Sequence, residues 1–217
     1  VSVKGKKVTP GLLPTADQGI CAIDELNLIK QKDLGSLYNA MEKGFVTYTK
    51  GDTNLTFDAR VRVIATANPK GDRFVGRGLD IIKEQIPFDM ALLSRFHVTF
   101  FIRSPNVDRF VAITKRIIAS DDVVMRAEDK EFIRDYVNHC EEIEVEFAKE
   151  LEKDVVAFTK ELKEKIDNYL IEISPRLVHG VMRLAKANAR MSLRRTVLKH
   201  DLDVAKRIVK TSLEVVT

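Results

Sequence analysis

The sequence predicts an α/β protein: a parallel sheet flanked by helices and carrying an inserted β-hairpin, followed by an all-α lid. Three observations support that class. Short apolar, β-branched runs alternate with Gly- and Pro-bearing loops through the first half of the chain. The second half sets its apolar residues at helical spacing instead. The order, strands mixed with helices and then helices alone, is that of a sheet domain with a helical appendage. The boundary falls near Ser104–Val107, so the expected units are residues 1–105 and 106–217.

The elements follow in order. Gly19–Asp24 is a compact apolar run ending in Asp-Glu, the pattern of a buried parallel strand. Asp33–Lys43 spaces Leu34, Leu37, Tyr38 and Met41 as a helix that packs on that strand. Phe45–Lys50 and Thr53–Asp58 both alternate apolar with polar residues around Gly51-Asp52, which makes a hairpin. Arg60–Asn68 is a further strand, stopped by Asn68-Pro69. Pro69–Gly78 is a Gly-rich basic loop, expected to be mobile and solvated. Asp89–Ser94 fits a short helix and Val98–Ile102 a last strand.

Beyond these, Val107–Ala119 carries Val107, Phe110, Val111, Thr114, Ile117 and Ile118 on one helix face. Glu128–Tyr169 has the composition of one long or two successive helices, with the stripe Leu151, Val155, Phe158, Leu162, Ile166, Tyr169 and a Glu/Lys-rich opposite face. Ser174-Pro175 opens the next helix, because a serine there accepts from orphan N–H groups and a proline has none to lose. That helix is expected to run to about Arg195, and Asp201–Leu213 closes the chain as an amphipathic helix.

Composition bounds the function classes. Of 217 residues, 45% are hydrophobic and 31% charged, which is ordinary for a soluble globular domain. The net charge of +4 does not by itself imply nucleic acid. Basic residues do gather around Lys50–Arg62, Lys70–Arg77 and Arg176–Arg195. No run approaches the roughly 20 apolar residues that span a bilayer, and Val1–Lys7 is not a secretory leader. No membrane role is expected. An opening Val rather than Met predicts an excised fragment. Cys21 and Cys140 fit no metal or redox spacing, Cys21 reads as a core residue, and the four histidines are scattered. A reducing cytosol is the default.

The chemistry starts at Asp24-Glu25. A buried strand delivers these adjacent carboxylates to the carboxyl edge of a parallel sheet, where α/β ligand sites lie. In nucleotide hydrolysis one would sit in the Mg²⁺ shell and the other would deprotonate the attacking water. Alone, the pair reads more simply as two exposed acids at a helix start. Asn68 stands at the end of a neighbouring strand, as a turn residue or as a donor to a γ-phosphate. Arg95, in Leu92-Leu93-Ser94-Arg95-Phe96, reads as a surface ion pair or as an arginine finger.

Taken in order, Gly11–Asp17, Gly19–Glu25, Ala40-Met41-Glu42, the hairpin, Asp58-Ala59-Arg60, Ala67-Asn68-Pro69 and Leu92–Phe96 resemble the minichromosome maintenance (MCM) family of AAA+ ATPases. Ile173–Leu177, Met182–Ala187 and Val197–Leu213 resemble that family's lid. The resemblance implies an incomplete AAA+ sheet and the ATPase-motor portion of a DNA helicase active in replication. It implies ATP and Mg²⁺ as cofactors, with Asp24 as the Walker B metal-shell residue and Glu25 as the catalytic base. Asn68 becomes the first sensor, and Arg95 a finger acting on a neighbour's ATP. Arg176 becomes the second-sensor arginine, while Arg183 and Arg190 on the same helix face are read as interface or solvated residues. Lys50, at the hairpin tip, is the residue that grips single-stranded DNA in a central channel. A homo-oligomeric or mixed MCM ring is implied, a hexamer, nuclear in a eukaryote and cytoplasmic in a prokaryote.

The match has gaps. No G-x-x-x-x-G-K-[ST] phosphate loop occurs, so the chain alone is expected to bind ATP poorly. Asn27-Leu28 replaces the family's Asp-Lys, Thr66 a small residue, and His97 an Asp. The competing readings are a shortened, non-catalytic subunit that joins or regulates an active ring and binds DNA, and another AAA+ branch such as magnesium chelatases or enhancer-dependent activators.

Overall fold

A computed structural model describes residues 2–4, 7–50, 53–76, 78–119, 125–171 and 173–214. The chain forms two compact units, Val1–Arg95 and Phe96–Thr217. Among the described residues no helix is long and apolar enough to cross a membrane.

The first unit opens with an antiparallel pair, β1 (Ser2–Lys4) and β2 (Lys7–Thr9), followed by the single turn α1 (Leu12–Thr15). Its centre is a parallel pair, β3 (Ile20–Ile23) and β6 (Arg62–Ala65), in register from Ile20 opposite Arg62 to Ile23 opposite Ala65. Between them the chain makes α2 (Gln31–Lys43) and the hairpin β4 (Phe45–Lys50) with β5 (Thr53–Asp58). Helix α2 buries Leu34, Leu37 and Ala40 and ends at Gly44, whose φ of +74° closes the left-handed cap. A side chain there would also bring its Cβ to 3.0 Å from Arg60 Cγ. The Ala59 N–H donates to the Gly44 carbonyl at 2.7 Å, and Val46 and Ala59 are buried at the hairpin base. The hairpin beyond that base is largely exposed. Helices α3 (Leu79–Gln85) and α4 (Met90–Leu93) complete the unit, the latter capped by Asp89, whose carboxylate accepts from the Leu92 N–H.

Two expectations change here. The strand at Gly19–Asp24 is buried on one face only. Cys21 is buried on the inner face, whereas Ile20 and Ile64 on the other are 61% and 60% exposed. A parallel sheet needs a layer on each side, and among the described residues β3 and β6 have one. The loop after Asn68 is solvated but also tied down. Gln85 Oε1 accepts from the Val75 N–H at 2.8 Å, its Nε2 donates to the Val75 and Ile81 carbonyls, and the Lys70 N–H donates to the Gln85 carbonyl.

The second unit is helical: α5 (Val107–Ala119), α6 (Ala127–Glu141), α7 (Glu152–Glu164), α8 (Pro175–Met191) and α9 (Lys199–Leu213). Val98–Ile102 is not the expected strand. Its alternation survives, with Phe101 buried and Phe100 and Ile102 exposed, but a ladder needs a neighbouring strand and the unit has none among the described residues. The long acidic segment resolves into two helices. The stripe of α7 packs as predicted, with Leu162 fully buried, while Lys160–Glu164 and Lys165–Glu161 pair outside. Helices α8 and α9 meet through small residues, Ala185, Ala189 and Ala205, all without exposure. Pro175 does start α8, but the Ser174 hydroxyl makes no capping bond; only its carbonyl accepts, from the Leu177 N–H. The helix stops at Met191, ahead of Arg195, because Leu193 turns left-handed at φ +54° and the Arg194 N–H folds back to the Ala189 carbonyl.

The second unit's main internal ion pair joins Arg194 to Asp201, which has no exposure. The carboxylate also accepts from Asn188 Nδ2 at 2.7 Å and from the Leu198 N–H at 2.8 Å. Arg194 leads the groups that hold the Asp201 carboxyl down, at about 2. The sequence reading treated Arg190 as an interface or solvated residue. It is instead a tether, its Nε donating to the Ile143 carbonyl at 2.9 Å.

Candidate active site

The β3–β6 register brings Asp24 and Glu25 beside Thr66 and the Ala67-Asn68 turn. Both strands run the same way, so these residues share the carboxyl edge of the sheet. The Thr66 N–H donates to the Ile23 carbonyl at 3.0 Å, and the Leu26 N–H donates to the Thr66 carbonyl at 2.9 Å. These two bonds carry the parallel pairing one step past the strands. The Thr66 hydroxyl donates to Asp24 Oδ1. The Glu25 N–H is shared between Asp24 Oδ1 at 3.1 Å and Thr66 Oγ1 at 3.2 Å. On the other side, Asn27 Oδ1 accepts from the Asn68 N–H at 3.0 Å.

Glu25 itself is left-handed, at φ 51° and ψ 48°. That conformation costs a residue with a Cβ about 1–2 kcal/mol, and such residues cluster where position matters more than comfort. Leu26 follows, only 2% exposed, and anchors the short turn Leu26–Leu28. Burying a leucine side chain contributes roughly 1.5–3 kcal/mol, enough to offset the turn's cost.

Asp24, Glu25 and Asn68 are exposed. The Glu25 carboxylate, Asp24 Oδ2 and the Asn68 side-chain amide take no hydrogen bond among the described residues. The donor set fits Mg²⁺ of the kind shared with a nucleotide. Magnesium is held by one or two carboxylates plus water and substrate phosphates rather than by an all-protein cage. Among the described residues no cluster of three or more metal-ligating side chains stands ready by itself.

The other predicted residues lie elsewhere. Arg95 follows α4 and is engaged inside its own unit. Its Nη2 pairs with Glu42 Oε2 at 2.9 Å, its Nη1 donates to the Ala91 carbonyl, and its guanidinium lies 4.6 Å over the Tyr38 ring. The side chain keeps 19% exposure, and its Nε is buried without a partner. Lys50 is exposed at the end of β4, opposite Thr53; the Gly51-Asp52 tip falls outside the described residues. Arg176 lies in the first turn of α8, in the second unit. The same unit places Arg183 Nη1 3.1 Å from His97 Nε2. Partial desolvation, then the charges of Arg183, His179 and Arg176, hold the His97 imidazole below the ordinary histidine range.

Sequence reasoning did not assign Thr66 or Asn27 to the site. Their signal was present, since both are points where the chain departs from the pattern it resembles.

A two-stranded parallel core with acids at its carboxyl edge, an inserted hairpin and a helical lid define an AAA+ type of fold. The family model for the MCM P-loop domain matches residues 3–120, and that for the MCM AAA-lid domain matches residues 131–213. The chain belongs to the MCM family. It is 30% identical over 216 residues to DNA replication licensing factor MCM4 of Arabidopsis thaliana, covering 94% of this chain and 25% of that protein. It is also 30% identical to mcm4 of Schizosaccharomyces pombe, covering 94% and 24%. Against the minichromosome maintenance protein MCM of Saccharolobus solfataricus it is 27% identical, covering 94% and 30%. The chain thus spans about a quarter of the length of the curated relatives it matches.

Proposed function

We propose that this chain is the ATPase-motor portion of an MCM-type DNA helicase, working at the interface between subunits of a ring. The observation that carries the reading is the β3–β6 register, which sets the Glu25 carboxylate, the remaining oxygen of Asp24 and the Asn68 side-chain amide, none of them hydrogen-bonded among the described residues, on one sheet edge. In that role Asp24 holds Mg²⁺ through water. The bound ion supplies positive charge to the phosphates of ATP. Glu25 takes the proton of the attacking water, and the Asn68 amide fixes that water or the γ-phosphate. Arg95 reaches a neighbour's nucleotide after leaving Glu42, and Arg176 contributes from the lid. Lys50 repeats around the ring as a collar of positive charge, which holds phosphates without reading bases. The ring is a hexamer of MCM subunits around single-stranded DNA, acting in replication.

The test uses the complete gene product. Glu25→Gln is expected to abolish ATP turnover while leaving binding of a fluorescent ATP analogue within a few-fold of the parent. Turnover at the parent rate would remove Glu25 as the base and the reading with it.

A further inference from the structure

We propose that Thr66 and Asn27 are positioning residues, two side-chain ties that lock the acidic turn after β3 to the end of β6 and so aim Asp24 and Glu25. The inference rests on the function proposed above.

The geometry points to it through the bonding capacity of one hydroxyl. A threonine hydroxyl has a single proton and can accept from others. Here the proton goes to Asp24 Oδ1, and the oxygen accepts from the Glu25 N–H. The direction is therefore fixed: Glu25 N–H to Thr66 Oγ1, then Thr66 O–H to Asp24 Oδ1. That relay holds one oxygen of Asp24 and leaves the other free. It also anchors the amide of a residue whose φ is +51°. The Thr66 carbonyl takes the next N–H, that of Leu26, so one residue just past β6 holds three successive positions of the turn. Thr66 is suited to this because its branched Cβ limits χ1 and fixes the hydroxyl in place.

Asn27 performs the reciprocal task. Its Oδ1 accepts the Asn68 N–H, beyond the last paired residue of β6. Without it, the backbone that carries the Asn68 amide has no tie to the acidic turn past Thr66. An alanine at 66 would make no such bond, whereas an aspartate at 27 could still accept the Asn68 N–H, so the Thr66 hydroxyl is the tie this chain adds with a side chain of its own.

The experiment compares Thr66→Val, which keeps the shape and removes the hydroxyl, with Thr66→Ser, which keeps the hydroxyl and removes the methyl. Both are made in the complete protein, beside Asn27→Ala. Hydrogen exchange at the Glu25 and Leu26 amides is read without nucleotide, and ATP turnover and the Mg²⁺ needed for binding an ATP analogue are read with it. Loss of a partner behind a metal-shell ligand costs about 10–100-fold. Thr66→Val is therefore expected to lower kcat by about that factor, raise the Mg²⁺ requirement and speed exchange at the Glu25 amide. Thr66→Ser is expected to restore all three, and Asn27→Ala to lower kcat with KM little changed. Thr66→Val with parental exchange and parental Mg²⁺ dependence overturns the inference. So does Thr66→Ser failing as badly as Thr66→Val, which would make the methyl group's packing the role. If Glu25→Gln abolishes turnover and Thr66→Val does not alter it, this inference falls alone. If Glu25→Gln is fully active, the functional reading falls, and the exchange measurement still decides whether Thr66 holds the turn.

Discussion

Asp201 offers the sharpest test of how the lid is held. Its carboxylate is fully buried and accepts four hydrogen bonds: two from Arg194 at 2.6 Å, one from Asn188 and one from the Leu198 N–H that starts α9. Asp201→Asn keeps the shape but removes the charge and points an NH₂ group at donors. Breaking a fully buried pair from one side costs about 3–5 kcal/mol. Arg194 keeps 30% exposure, so water compensates part of that loss and about 2–3 kcal/mol is expected. At roughly 4 °C per kcal/mol for a domain of this size, the melting temperature drops by about 8–12 °C. The pH dependence has a definite sign. The folded carboxyl sits at about 2, below its unfolded value of 3.8. Its stabilisation is therefore fully present above the unfolded value and disappears as pH falls through about 2. Thermal denaturation followed by circular dichroism, on parent and variant from pH 7 downward, should show a gap that is constant to about pH 5 and narrows from there. A gap under about 0.5 kcal/mol at neutral pH, within the range of ordinary surface substitutions, would refute the reasoning. A gap that widens on acidification would refute it too.

Two further outcomes follow from the site. Lys50→Ala in the assembled protein should weaken single-stranded DNA binding equally for all sequences, and flatten log K against log salt by about 0.7 per lysine removed from a phosphate; fluorescence anisotropy at several salt concentrations reads this, and an unchanged slope dissociates Lys50 from the DNA. Arg95→Ala should lower turnover by at least about 10³-fold if its guanidinium serves a neighbour's phosphate, whereas Glu42→Gln, which removes the charge of its resting partner, should leave turnover intact; equal losses from both would make the Glu42 pair structural and remove Arg95 as a finger.

Much of this architecture was readable because the chain states it locally. Gly51-Asp52 between two alternating runs gives the hairpin, and its strands, Phe45–Lys50 and Thr53–Asp58, fall where the alternation places them. The α7 stripe and the Pro175 start are equally local signals. What could not be read depends on partners distant in sequence. Val98–Ile102 has a strand's alternation but, among the described residues, forms no strand, only a single bridge residue at Ile102, since pairing is a property of two segments. Ile20 and Ile64 look like core and are exposed, because the pattern says which face is apolar and not what covers it.

The same distinction governs the site. Asp24, Glu25 and Asn68 were legible as candidates, but the relay that ties Asp24 and Glu25 joins residues more than 40 positions apart through a single hydroxyl. Arg95 shows the reverse case: its place in the order of motifs suggests a group offered outward, while its contacts with Glu42 and Tyr38 hold it inward. An arginine stacked on a ring and bonded at both terminal nitrogens, with its buried Nε lacking an acceptor, is incompletely satisfied where it lies. The Glu42 and Ala91 acceptors leave the Nε donor unmet, so a further acceptor is needed to satisfy the whole group. In the proposed role, a phosphate of a neighbour's nucleotide, with three acceptor oxygens, would compete with one half-exposed carboxylate for a guanidinium whose Nε is unmet at rest.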